Sequence, residues 1–142
     1  MENFQTTIKK IVEYIGFNEP SVSFDEAGRK VIVFANEGEW IKSWLPHLVS
    51  ELERICNLIA KKQGLESVFV DFNNYRKERE ALIVELAKAA ARKVATTKQE
   101  VELPVMNAYE RRLVHMELAS RPDVKTESIG ERGERRVVIK LV

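Results

Sequence analysis

Arg111 and His115 stand four residues apart in the stretch Asn107-Ala108-Tyr109-Glu110-Arg111-Arg112-Leu113-Val114-His115. A helix turns once in about 3.6 residues, so the two side chains would project from one face, about 40° apart. A guanidinium is a planar fork of donors, and an imidazole beside it adds a donor that strengthens on protonation. Together they could clamp a phosphate. On spacing alone the commoner arrangement is structural: a surface Arg paired with Glu, and a His bonded to backbone. More polar residues follow in Thr126-Glu127-Ser128-Ile129-Gly130 and Arg135-Arg136-Val137-Val138-Ile139. Gly130 and the turn after it could offer backbone N–H groups, and an Arg could reach the same helix face. Successive strand residues point to opposite faces, so at most one of Arg135 and Arg136 shares a face with His115.

Several elements must position these groups. Asn107 is a good helix N-cap with Glu110 three residues on, which predicts a helix over about 108–119. Val124–Ser128 and Arg136–Val142 predict two strands joined through Gly130 and Gly133, and Val101 and Leu103 predict a short strand before the helix. A long helix is expected from Tyr75 to about Ala95, with Ile83, Ala87, Ala90 and Val94 on one stripe. Upstream, Ile8, Ile11, Val12 and Ile15 mark an amphipathic helix stopped at Gly16. Ser21–Phe24 and Lys30–Phe34 predict a hairpin. Trp40, Ile41, Trp44 and Leu45 predict a short helix ending at Pro46. Leu48, Leu52, Ile55 and Ile59 carry a further helix to about Lys62, and Val68–Phe72 a third strand. The expected order of the first part is therefore α-β-β-α-α-β.

The chain has 142 residues and a net charge of +1, with 44% hydrophobic and 32% charged residues. That allows one ordinary domain or two small ones with packed cores. Charge is unevenly spread: residues 1–73 carry 8 basic and 11 acidic side chains, residues 74–98 carry 7 and 3, and residues 99–142 carry 8 and 8. A polyanion site must therefore be a local patch. One cysteine, Cys56, and two histidines exclude an intrachain disulfide and a zinc cluster. Cys56 among Leu52, Ile55 and Ile59 is expected to be buried. No signal peptide and no run of ~20 apolar residues is apparent, so a cytoplasmic location without membrane insertion is expected.

The C-terminal motif, Arg111-Arg112-Leu113-Val114-His115 with the flanks quoted above and Leu103-Pro104-Val105-Met106-Asn107 before it, resembles an R-3-H (Arg-x3-His) domain over residues 99 to 140. Upstream, Asp71-Phe72-Asn73-Asn74-Tyr75-Arg76-Lys77-Glu78-Arg79-Glu80 resembles the strand-to-helix junction of the bacterial Jag (SpoIIIJ-associated) proteins. The whole chain resembles the KH plus R-3-H part of that family, without its separate N-terminal Jag domain. The resemblance implies an α+β fold: a type II KH-like domain over 1–74, a connecting helix over 75–97, and a small R-3-H domain over 98–142. It shifts Arg111 and His115 from a structural to a functional reading. It implies binding of single-stranded nucleic acid, RNA more than DNA, through phosphate contacts by Arg111 and His115. Asn107, Ser128, Gly130, Arg135 and Arg136 would assist, with a role in RNA regulation or cell elongation. A small KH-domain protein or a second copy of the chain is the protein partner it suggests.

A KH domain grips RNA with a Gly-x-x-Gly loop between two helices, where bare backbone lets a phosphate chain approach. Here that loop should fall at Pro46-His47-Leu48-Val49, or at Ala35-Asn36-Glu37-Gly38, and neither has both glycines. The first unit is therefore expected to be a degenerate KH domain serving as scaffold or pairing surface. Trp40 and Trp44 are either core or an exposed contact patch, and with the lost loop they support a second reading, a protein-interaction adaptor without RNA binding. His47 reads as a loop histidine, and the basic residues Arg76, Lys77, Arg79, Lys88, Arg92 and Lys93 as a solvated helix face rather than an extension of the phosphate track. No nucleotide-hydrolysing loop, nucleophile elbow or carboxylate cluster appears, so no enzyme, metal or cofactor is expected.

Overall fold

A computed structural model describes residues 2–142, and the chain divides into two compact units, Met1–Lys77 and Glu78–Val142. In the first, α1 (Glu2–Ile15) buries Phe4, Ile8 and Val12, one residue per turn along one side. It stops at Gly16, whose φ of 96° suits a residue without a side chain. β1 (Ser21–Asp25) and β2 (Lys30–Phe34) form an antiparallel hairpin, and β3 (Phe69–Phe72) adds in parallel to β2, with Val31 opposite Val70. A parallel neighbour needs a crossover. Here that is a 3-10 turn (Glu39–Ser43) followed by α2 (Leu45–Lys62). Val31, Val33, Val49, Val70 and Phe72 close the core with the face of α1.

The element order agrees with the expected α-β-β-α-α-β, but the joint between the two middle helices differs. Pro46 does not end the first; it lies in the first turn of α2. Proline lacks an N–H, and the first helical turn has no internal acceptor for one, so the residue fits there without loss. Residues 46–49 are therefore helical, His47 sits exposed on α2, and only Trp44 separates the two helical segments. Leu45 and Val49 are buried, which ties this start of α2 to the core.

β3 is an edge strand whose outward main-chain groups are covered by side chains. Asn57 of α2 donates to Val68 O at 3.1 Å and accepts from Val68 N at 2.8 Å. Glu53, one turn earlier, accepts from Val70 N at 3.0 Å, and Arg76 donates to Val70 O at 3.2 Å and pairs with Glu53. After β3 the chain turns through Asn73 and Asn74, both with positive φ. Asp71 accepts from the N–H groups of Arg76 and Lys77, capping the next helix, while Asn73 accepts from Ala35 N at 3.0 Å. The Asp-x-Asn-Asn spelling of this junction thus has a mechanism: short polar side chains that tolerate left-handed backbone and bond nearby N–H groups.

The second unit takes most of α3 (Tyr75–Thr97), with β4 (Val101–Glu102), α4 (Ala108–Leu118), β5 (Val124–Ile129) and β6 (Arg136–Leu141) in an antiparallel sheet of order β4-β6-β5. The stretch expected as a connector is part of this unit's core from Glu78 onwards. Ile83, Ala87, Ala90, Ala91 and Val94 pack with Leu103, Met106, Val114, Leu118, Val137 and Ile139. The alanines expose little apolar surface on their own, so their burial depends on close approach to this sheet and helix.

Candidate nucleic-acid interface

Asn107 starts α4 as the sequence predicts: its side chain accepts from Glu110 N at 2.9 Å. Its amide also donates to Glu110 Oε1 at 3.1 Å, so both ends of the side chain serve the cap. Glu110 is 7% exposed and takes a two-pronged ion pair from Arg79 of α3, at 2.7 and 3.1 Å. This pair joins α3, the Asn107 cap and α4 at the point where Arg111 leaves the helix.

Arg111 and His115 share a face of α4, as the spacing requires, and both are half-buried. The guanidinium of Arg111 donates to Met106 O at 2.7 Å, which fixes it over the loop that enters the helix. The imidazole of His115 lies against β5. Its Nδ1 is 2.6 Å from Thr126 Oγ1 and its Nε2 is 2.8 Å from Ser128 Oγ. Both ring nitrogens are therefore engaged, and His115 has no free nitrogen to offer directly. Burial, and then the charge of Arg111, hold its pKa below the usual 6.5, which keeps the ring neutral at pH 7.

The alternation of β5 explains the meeting. Val124, Thr126 and Ser128 are the more buried set and Lys125 and Glu127 the exposed one. Register carries the same face across to β6, where Ser128 is opposite Val137 and Thr126 opposite Ile139. Arg136 is opposite Ile129 and so stands on the other face, where it pairs with Glu102 at 3.0 Å. Lys140 joins it there, paired with Glu127. Arg135 precedes β6 on the His115 side by alternation. Its guanidinium donates to Gly130 O at 2.8 Å, and its own carbonyl accepts from Met106 N at 3.0 Å. Met106 therefore links the two arginines, through its carbonyl to Arg111 and its N–H to Arg135.

Gly130 is fixed by sterics. Its φ is 97°, and a Cβ there would lie 2.4 Å from Glu134 O. Of the residues singled out in the sequence, Arg111, His115, Ser128, Gly130 and Arg135 are brought together on one side of the unit. Asn107 is committed to the cap and Arg136 faces away. Sequence reading missed Thr126, which period-2 alternation from Ser128 could have flagged, and Met106, which serves the site through its main chain while its side chain is buried in the core. In the first unit residues 46–49 are helical, the other loop placement, residues 35–38, is an irregular segment with a single glycine, and Trp40 and Trp44 are 59% and 58% exposed.

The family model of the R-3-H domain matches residues 81–141. Three proteins named RNA-binding protein KhpB are similar to the chain. That of Clostridium symbiosum is 38% identical over 95 residues, covering 66% of this chain and 43% of its own. The one from Lactiplantibacillus plantarum is 39% identical over 95 residues, with 66% and 30% covered. The one from Bacillus subtilis is 36% identical over 76 residues, with 52% and 36% covered. The chain thus spans less than half the length of these relatives.

Proposed function

The chain is a Jag-family protein carrying an R-3-H domain, and from that premise we propose that it binds single-stranded nucleic acid, RNA in preference to DNA, without catalysing a reaction. The observation that carries this reading is the cluster of Arg111, His115, Thr126, Ser128 and Arg135 on one side of the second unit. Two cations held by main-chain carbonyls stand with the Thr126 and Ser128 hydroxyls that bond the His115 ring. Such a surface suits a chain of phosphates. The RNA preference is supported by the names of the three relatives.

Phosphate contacts position a strand and do not read bases, so low sequence specificity follows. With about 3 to 4 phosphates neutralised, log affinity should fall against log salt with a slope of about −2 to −3. No helix among the described residues is long and apolar enough to cross a membrane, and the cytoplasm, where RNA is met, is the location we propose. A role in RNA regulation or in cell elongation accords with the family. The test is fluorescence polarisation of labelled single-stranded RNA and DNA across salt, with wild type and Arg111→Ala. Loss of about tenfold in affinity, one charge-assisted contact, with a shallower salt slope supports the site. Equal binding by both proteins rejects it.

A second reading, a protein-interaction adaptor that has lost RNA binding, is favoured by the exposed Trp40 and Trp44 and by the helix that takes in residues 46–49, one of the two placements of the phosphate loop. On this reading wild type binds no strand, and Trp40→Ala/Trp44→Ala should abolish capture of a KH-domain partner or self-association by sedimentation.

A further inference from the structure

The contacts of His115 can be counted as donors and acceptors. A neutral imidazole has one N–H and one lone pair, and a hydroxyl has one O–H and two lone pairs. With Thr126 Oγ1 at 2.6 Å and Ser128 Oγ at 2.8 Å on the two nitrogens, one hydroxyl must give its proton to the ring and the other must accept from it. The accepting hydroxyl keeps its own O–H. This holds for either tautomer, and neither hydroxyl has another partner among the described residues. A neutral site therefore offers one hydroxyl donor. If the ring takes up a proton, both nitrogens donate, and both O–H groups are released.

We propose that His115 is a positioning residue whose protonation turns the second of the Thr126 and Ser128 hydroxyls towards a bound phosphate diester, so that single-stranded RNA is held more tightly in mild acid than at neutral pH. This rests on the nucleic-acid reading above and adds to it a role for the ring: His115 sets how many donors the strand meets.

The surroundings make the ring responsive to an anion. On α4 its charged influence is Arg111. β5 turns only Thr126 and Ser128 towards it, with Lys125 and Glu127 on the opposite face. β6 supplies Val137 and Ile139 on this side, with Arg136 and Lys140 on the other, and Arg135 at its approach is tied to Gly130 O. The facing groups of α3 are paired with α4: Arg79 with Glu110, Glu80 with Tyr109, and Lys88 with Glu117. Among the described residues of these elements no carboxylate is left to stabilise the imidazolium, so the cation forms readily only when a phosphate supplies the missing negative charge. Burial and Arg111 disfavour it until then.

The experiment uses a uridine-only RNA 12-mer with a 5′-hydroxyl, because neither its bases nor its ends titrate between pH 5 and 8. Affinity is measured across that range for wild type, Thr126→Val/Ser128→Ala and His115→Gln. The pKa of His115 in wild type is read by NMR with and without the strand. Linkage requires the gain in affinity from the alkaline to the acid plateau to equal the rise in that pKa on binding. One added contact of this kind predicts about a tenfold gain, or about one pKa unit. His115→Gln should flatten the profile, and Thr126→Val/Ser128→Ala should remove most of the acid gain. A strand bound equally at pH 5 and 8, with the His115 pKa unmoved, overturns the proposal and leaves the nucleic-acid reading standing. A full acid gain in Thr126→Val/Ser128→Ala also overturns it, since bare charge would then be the cause. No binding at any pH defeats both readings.

Discussion

Removal of the Arg79 side chain should destabilise the second unit more than a surface ion pair would suggest. Glu110 is 7% exposed and accepts three side-chain hydrogen bonds, two from Arg79 and one from Asn107. Breaking a fully buried pair costs about 3 to 5 kcal/mol, because it strands a charge. The side chain of Arg79 is 47% exposed, which lets water screen the pair, and Asn107 remains as a partner. Both reduce the cost, to about 2 kcal/mol for Arg79→Met, which keeps the apolar stem and the helix propensity. Glu110→Ala should cost a similar amount through the loss of the cap contact. Arg79→Met/Glu110→Ala should cost clearly less than the two single changes added together, because the stranded charge is gone. Trp40 and Trp44 both lie in the first unit, so tryptophan fluorescence would miss the effect. Urea titration followed by far-UV circular dichroism, with amide exchange at Val114 and Ile139, reads it. A slope typical of small domains puts the midpoint down by about 0.7 to 2 M. A shift worth under about 0.5 kcal/mol, or strict additivity in the double variant, would refute the stranded-charge argument.

The pKa of His115 is lowered in the folded protein, so as pH falls through about 6.5 the unfolded chain takes up its proton first. The stability tied to the neutral ring is present above pH 6.5 and is lost as pH falls towards the folded value. Urea midpoints at pH 7.5 and 5 should therefore differ less for His115→Gln than for wild type. Gly130→Ala should cost about 1 to 3 kcal/mol, as it combines a positive φ with a Cβ against a main-chain oxygen. Thermal unfolding would show that cost, and strand binding should weaken alongside it as the Arg135 anchor shifts. Cys56 is buried and its pKa is pushed up to about 12, by burial first and then by Glu53. It should resist a thiol reagent at pH 8 in the native protein and react promptly in denaturant; fast labelling without denaturant would contradict its burial.

Much of the fold is written in periodicity. Of the expected stripe Ile8, Ile11, Val12 and Ile15, Ile8 and Val12 reach the core while Ile15 is exposed and Phe4 joins them; the stripe Ile83/Ala87/Ala90/Val94 and the alternation of β5 and β6 survive into the second core. Pro46 is ambiguous in the sequence because a proline stops the helix before it and starts the helix after it equally well. Burial of Leu45 and Val49 makes the choice, and that is tertiary information. At the site, the helical spacing of Arg111 and His115 is legible, and the choice of Arg135 over Arg136 is not. That choice depends on strand register, which places Arg136 opposite Ile129. The ring contacts of His115 are equally hidden, since they join residues 11 and 13 positions apart.

The covered edge of β3 bears on how the protein survives at high concentration. Val68-Phe69-Val70 is a short apolar run, and Phe69 is 52% exposed, so on its own it would be a template for recruiting another extended chain. Asn57 takes both main-chain groups of Val68, and Glu53 and Arg76 take those of Val70. An incoming strand would have to displace four hydrogen bonds before it made its first. The guard against strand addition in this unit thus rests on three polar side chains, two of them one turn apart on α2.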